Sequence, residues 1–178
     1  LTTINPEILI EFRQSYVGPS IRKYGNMLRV GDCPCDILKN CFNVVNLRLT
    51  SGKTAVHSDM IMWNVSDTVE NAALQFTSIL YSVPQVSMRV DKLPEDHYKM
   101  LRFYLLFWKE WREVLLDGKL TATNPECEYS LVCSKLGDKA VCTAYSDRII
   151  SVKAAETVAV NATAEKSLII KNAQGKSY

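Results

Sequence analysis

Ala55-Val-His-Ser-Asp-Met60 is a short run whose far end carries polar residues. It is followed, beyond Trp63, by Asp67-x-x-Glu70 and an apolar stripe at Val69, Ala72, Ala73, Phe76 and Leu80. The run reads as a strand. The stripe reads as the inner face of a helix, with Asp67 and Glu70 forming a capping box at its positive end. The same strand-then-helix order recurs on both sides. Upstream, Glu7-Ile-Leu-Ile-Glu-Phe12 follows Pro6 and reads as a strand buried on both faces. After a Gly- and Pro-containing loop, Asp36 is placed to cap a helix with Leu38, Cys41, Phe42, Val45 and Leu49 on one face, ended by Ser51-Gly52. Downstream, Pro84 stops the second helix and Gln85 to Val90 reads as a third strand. Pro94 then opens a long helix in its first turn, beside Glu95 and Asp96. Leu101, Tyr104, Leu105, Trp108, Trp111 and Leu115 form its inner stripe, and Gly118 reads as a left-handed stop. Three strand–helix units in series predict a parallel sheet with helical crossovers. Three strands cannot close a barrel.

From Lys119 the pattern changes to short β runs: Leu120 to Thr123, Tyr129 to Ser134, Ala140 to Tyr145, Arg148 to Val152, Thr157 to Val160 and Ser167 to Ile170. Turns such as Leu136-Gly-Asp-Lys139 and Ser146-Asp147 separate them, which predicts a small antiparallel β domain. The expected division is therefore 1–117, α/β, and 118–178, all β.

Composition narrows the function classes. Of 178 residues, 47% are hydrophobic and 22% charged, so the chain can bury a core and is no disordered tail. The net charge is +2 with no basic block, so the electrostatic footprint of a nucleic-acid binder is missing. The longest uncharged stretch, Asn71 to Met88, holds Asn, Gln, Thr, Ser and Pro residues that would be costly in hydrocarbon, so no membrane span is expected. No signal peptide opens the chain, but a chain starting at Leu1 leaves the compartment open between cytoplasmic and secreted or periplasmic. Six Cys, at 33, 35, 41, 127, 133 and 142, lack the paired spacing of a zinc site. They are expected to be buried thiols in strands and turns, with no metal. The sequons at Asn64 and Asn161 matter only in a secreted chain.

In parallel α/β folds the chemistry sits just beyond the C-terminal ends of the strands. The residues there are Glu11, Arg13 and Tyr16, then Arg29-Val-Gly-Asp32 and Asp36, then His57-Ser-Asp-Met60 and Trp63. Carboxylates beside Arg and aromatic rings suit a sugar site, and glycoside hydrolysis needs two carboxyls in separate roles. Each residue also has a structural reading: Asp36 as a helix cap, His57 as a satisfied strand-end histidine, Trp63 as a packing residue.

Ile10-Glu-Phe-Arg-Gln-Ser-Tyr16, Met27-Leu-Arg-Val-Gly-Asp-Cys-Pro-Cys-Asp36 and Val56-His-Ser-Asp-Met-Ile-Met-Trp63 resemble the α-galactosidases (melibiases) of glycoside hydrolase family 36 and its clan. So does Tyr81-Ser-Val-Pro-Gln-Val-Ser-Met-Arg-Val-Asp-Lys-Leu-Pro-Glu-Asp96 with the Trp-rich helix after it, to about Leu116. The resemblance implies a retaining α-glycosidase with an eight-stranded β/α barrel and a C-terminal β-sandwich. The three units here would be the last three of that barrel. It implies Asp32 as acid/base and Arg29 as a substrate-hydroxyl ligand. Glu11 and Tyr16 would contact sugar on the same loop, and Asp59-Met60 would line the pocket. The Arg29-to-Asp32 spacing is one residue shorter than in some members, which keeps Asp36 open as the acid/base. The family's nucleophile lies in a Lys-x-Asp strand end, and no Lys-x-Asp occurs in this chain. The chain is therefore expected to be the C-terminal portion of an enzyme acting on an α-galactoside carbohydrate, inactive alone and using no cofactor. The fragment is expected to self-associate, most simply as a dimer joining the exposed apolar faces or the edges of the Ile8 to Phe12 and Gln85 to Val90 strands. The other reading is a non-catalytic carbohydrate-binding or scaffold relative.

Overall fold

The computed structural model describes residues 3–13, 18–32, 35–147 and 149–172. Strands β1 (Glu11–Phe12), β2 (Met27–Arg29), β3 (Ala55–Ile61) and β4 (Val83–Val86) form one sheet in that order, all parallel. Helices α1 (Ile37–Thr50), α2 (Val69–Ser78) and α3 (Glu95–Asp117) follow β2, β3 and β4. The chain is thus mixed α/β with the expected strand–helix alternation, but the sheet has four strands, not three. Strand β2 has only three residues and no alternation of its own to betray it. It becomes a strand because it pairs on both sides, Met27 with Glu11 and with Ala55.

The strand expected over Glu7 to Phe12 shrinks to two residues because a side chain substitutes for the rest of its ladder. Asn26 accepts the Ile10 N–H at 2.9 Å and donates to the Ile8 carbonyl at 2.9 Å. The third expected strand lies further upstream than Gln85 to Val90. It begins at Val83 and tolerates Pro84 because β4 is an edge strand, while Val90–Lys92 forms a 3-10 turn.

Local signals explain the helices. Asp36 caps α1, accepting the Lys39 N–H at 3.0 Å. The α2 cap is Thr68 rather than Asp67: Thr68 accepts from Asn71, and Asp67 instead accepts the Asn64 N–H. Pro94 occupies the N-cap of α3, just before its first turn. Gly118 ends that helix in an extended conformation (φ −65°, ψ 153°), not a left-handed one. Its lack of a side chain is needed for packing, since a Cβ there would run into the Val114 carbonyl and the Ser134 hydroxyl. Arg48, from α1, donates to the Leu115 carbonyl at 3.3 Å and to that of Leu116, satisfying the end of α3.

All six β runs of the tail are present: β5 (Lys119–Thr123), β6 (Leu131–Leu136), β7 (Lys139–Ala144), β8 (Ile149–Ser151), β9 (Glu156–Asn161) and β10 (Ile169–Lys171). They form a four-stranded sheet, β5-β6-β7-β9, and a two-stranded one, β10-β8. The expectation of a wholly antiparallel arrangement fails at β7/β9 and β8/β10, which pair parallel. The connection 145–155, carrying β8, returns the chain to the start of β7, so Glu156 lies beside Lys139 and both strands run the same way.

One core joins the helical layer to this sheet: Leu28, Val44, Val56, Ile61, Phe76 and Leu115 are continuous with Tyr129, Val132 and Val141. Tyr81, fully enclosed, donates to the Val132 carbonyl at 2.7 Å and lies 2.9 Å from the Thr143 hydroxyl. A second cluster, Cys133, Cys142, Ala144 and Ile150 with Leu131 and Leu168, lies between the two tail sheets. Cys133 and Cys142 face each other across β6 and β7 and are disulfide-bonded, so the all-thiol expectation is corrected there. Cys35 and Cys127 are exposed rather than buried. Cys41 is a buried thiol, pushed up to about 12 by desolvation. Cys33 lies outside the described residues. Among the described residues no cluster of His, Cys, Asp or Glu is arranged to hold a metal, and no helix is long and apolar enough to cross a membrane.

Candidate functional site

Parallel register aligns Glu11 with Met27, Met27 with Ala55, and Arg29 with His57. These residues share one face of the sheet; the alternate residues Leu28 and Val56 point into the core against the helices. At the C-terminal ends of β1 to β3 this face carries a cluster of charge around Arg29. Its Nη1 donates to Asp59 Oδ1 at 2.8 Å, its Nε lies 3.8 Å from Glu11 Oε1, and its Nη2 lies 3.7 Å from Asp32 Oδ1.

The neighbouring His57 is held at both nitrogens. Its Nδ1 lies 2.7 Å from the Ser58 carbonyl, which can only accept, so Nδ1 carries a proton. Its Nε2 lies 2.9 Å from Glu11 Oε2, and a hydrogen bond there requires one further proton between imidazole and carboxyl. Glu11 is thus fixed from two sides, by His57 and by Arg29.

Asp32 and Asp59 sit in contrasting surroundings. The Asp59 side chain is 1% exposed and that of Asp32 75%. Burial, reinforced by Asp32, raises the Asp59 carboxyl, against the opposing pull of Arg29. Asp32 is lowered, first by the hydrogen-bonding influence of Asp59 and then by Arg29. Asp59 Oδ2 is buried without a hydrogen-bond partner. The enclosed member of the pair is therefore the easier to protonate and the open one the easier to ionise.

A β-bulge shapes the end of β3. His57 pairs with Val83 but Met60 pairs with Gln85, so three steps on β3 match two on β4. The extra residue returns Met60 to the side of the sheet that His57 occupies, next to Asp59. The Ser58 hydroxyl accepts the Gln85 N–H at 2.9 Å and fills the gap in the ladder.

Glu11, Arg29, Asp32 and Asp59 are thus brought together, with Met60 beside them. Tyr16 lies outside the described residues. Asp36 is engaged as a helix cap, and Trp63 is a packing residue whose Nε1 donates to His97 at 2.9 Å. His57 is more than a satisfied strand-end histidine: its placement two residues before Asp59 was the signal that it shares a face with the carboxylates. A separate cleft of about 770 Å³ opens at the other end of the sheet, lined by Arg48, Lys53, Val83, Asp117 and neighbours. It holds no pair of carboxylates. No protein-family model, no curated protein and no solved structure matches the chain.

Proposed function

We propose that the chain is the C-terminal part of a retaining α-galactosidase. In this reading β1 to β4 belong to a β/α barrel, the tail is its β-sandwich domain, and Asp32 is the acid/base. The observation that carries the reading is the gathering of Glu11, Arg29, Asp32 and Asp59 at the C-terminal ends of parallel strands. In retaining hydrolysis one carboxyl protonates the leaving oxygen and then deprotonates the incoming water, while a second attacks the sugar carbon. Asp32 is the open member of the cluster, able to reach a glycosidic oxygen, and Arg29 and Glu11 supply the donor and acceptor that sugar hydroxyls need. The nucleophile would come from a strand end upstream of these residues. The test is Asp32→Ala in the full-length parent. It should slow natural disaccharides far more than aryl galactosides with activated leaving groups, and azide should restore part of the aryl activity. Equal losses on both substrates, with the selective pattern appearing in Asp36→Ala, would move the role to Asp36. The 178-residue chain alone should turn over no aryl α-galactoside; turnover abolished by Asp59→Ala would overturn the assignment of a missing nucleophile.

A second reading, a non-catalytic carbohydrate-binding relative, is favoured by one observation: Asp32 is lowered, which suits a hydroxyl acceptor better than a proton donor. Saturable galactose binding by a full-length parent that shows no turnover would select it.

A further inference from the structure

We propose that the outward face of α3 docks a second copy of this chain, the two helices packing antiparallel about a two-fold axis beside Leu106. The inference is independent of the proposed enzymatic role. The inner side of α3 is spent on the core through Met100, Leu101, Trp111, Val114 and Leu115. The opposite side should be polar on a helix facing water, yet Phe103 is 62% exposed, Leu106 57% and Tyr98 45%. Lys99, Phe103, Leu106, Glu110 and Glu113 follow one another at alternating steps of four and three along this outer face. The spacing is that of a seven-residue repeat, with Phe103 and Leu106 its apolar pair and charged residues at the other three positions.

Charge order identifies the occupant. Lys99 and Arg102 precede Leu106 and Glu110 and Glu113 follow it, with Lys109 the one cation of the face on the far side of Leu106. In an antiparallel pair centred on Leu106, residues equally far from the centre face each other. Arg102, four before, meets Glu110, four after; Lys99, seven before, meets Glu113, seven after. A two-fold axis repeats each contact, so the face is complementary to itself. Arg102, Glu110 and Glu113 have no ion-pair partner among the described residues. Lys99 is bound to Glu95 at 2.7 Å, an exposed pair that exchanges at little cost. Phe103 would face Lys109, whose stem can cover the ring while its head reaches water. The one like-charge meeting, Glu95 with Asp117, falls at the helix ends, where crossed helices diverge. A helix of 23 residues offers only a small contact, so a weak dimer is expected.

The test is sedimentation equilibrium of the 178-residue chain up to about 100 µM, a range suited to weak interfaces. Arg102→Glu and Glu110→Arg should each weaken the dimer by about tenfold or more, because each sets like charges face to face. The double variant Arg102→Glu/Glu110→Arg should restore it. All positions are on the surface, so circular dichroism should show unchanged folding. A chain that is monomeric throughout overturns the proposal. So does association undiminished in the single variants, which would locate the contact elsewhere, such as the edges of β1 and β4. A double variant as weak as the singles overturns it as well, and would fit a face covered by some other helix or ligand.

Discussion

Arg29 on β2 donates from Nη1 to Oδ1 of Asp59 on β3 at 2.8 Å, and the same guanidinium faces Glu11 and Asp32 at 3.8 and 3.7 Å. One cation therefore offsets three carboxyls drawn from three places in the chain. Replacing it with Met should cost about 3 kcal/mol at neutral pH, since a buried carboxyl loses its partner. The loss, measured by urea unfolding, should shrink as pH falls through the raised value of Asp59, where its carboxyl takes up a proton. A loss independent of pH would mean that Arg29 stabilises through packing alone.

The contrast between Asp59 and Asp32 makes stability depend on pH in opposite senses. Asp59 is raised on folding, so the stability it contributes is complete at low pH and is lost as pH climbs through its raised value. Asp59→Asn should therefore improve relative to the wild type as pH rises above about 4. Asp32 is lowered, so its contribution is present above the ordinary Asp value and disappears as pH falls through the lowered one. Asp32→Asn should be the less stable protein at neutral pH and equal the wild type in strong acid. Chemical denaturation across pH 3 to 8 reads both trends, and parallel curves for the two variants would contradict them.

Tyr81 ties the helical layer to the tail sheet through a hydroxyl shared by the Val132 carbonyl and Thr143. Tyr81→Phe should cost about 1 to 2 kcal/mol, because both partners stay buried. Thr143→Val in the same background should add less than it costs alone, the two acting on one interaction. Additive losses in the double-mutant cycle would show that the hydroxyls do not communicate.

The Cys133–Cys142 bond closes a short loop, so the double Ala variant should be less stable by about 2 to 3 kcal/mol, chiefly through the freer unfolded chain. Dithiothreitol should lower the wild type by a similar amount and leave the variant unchanged. Equal sensitivity of both would place the reducible contribution at another cysteine.

The helices were legible because their signals are local: Asp36 before a 3.6-residue stripe and Pro94 beside acidic residues. Gly118 marked the end of α3, but its reason is a close tertiary contact rather than the left-handed turn expected of it. The tail strands were legible through their turns, Gly137 above all, which takes a positive φ of 56° between β6 and β7. Strand β2 was not, since Met27-Leu-Arg29 is defined by its neighbours on both sides rather than by its own pattern. Parallel pairing of β7 with β9 was hidden for a related reason: direction is set by the intervening connection, not by either strand. In the candidate site, strand-end position was enough to collect Glu11, Arg29, Asp32 and Asp59. The hold of His57 on Glu11 depends on register between strands far apart in sequence, and no single run of residues contains it.

The bulge in β3 gives that strand two reading frames. Up to His57 the side chains alternate in one phase; from Met60 they alternate in the other, and Ser58 bridges the break by accepting from Gln85. Removing Ser58 would restore a regular ladder, which favours folding, with Met60 still opposite Gln85 and Ile61 still opposite Val86 in the core. Asp59 would then be the single residue between His57 and Met60, and alternation would turn its side chain away from the site. Length in this strand is therefore under two opposed demands, and a shortened β3 that folded well would be expected to do so without its carboxylate cluster.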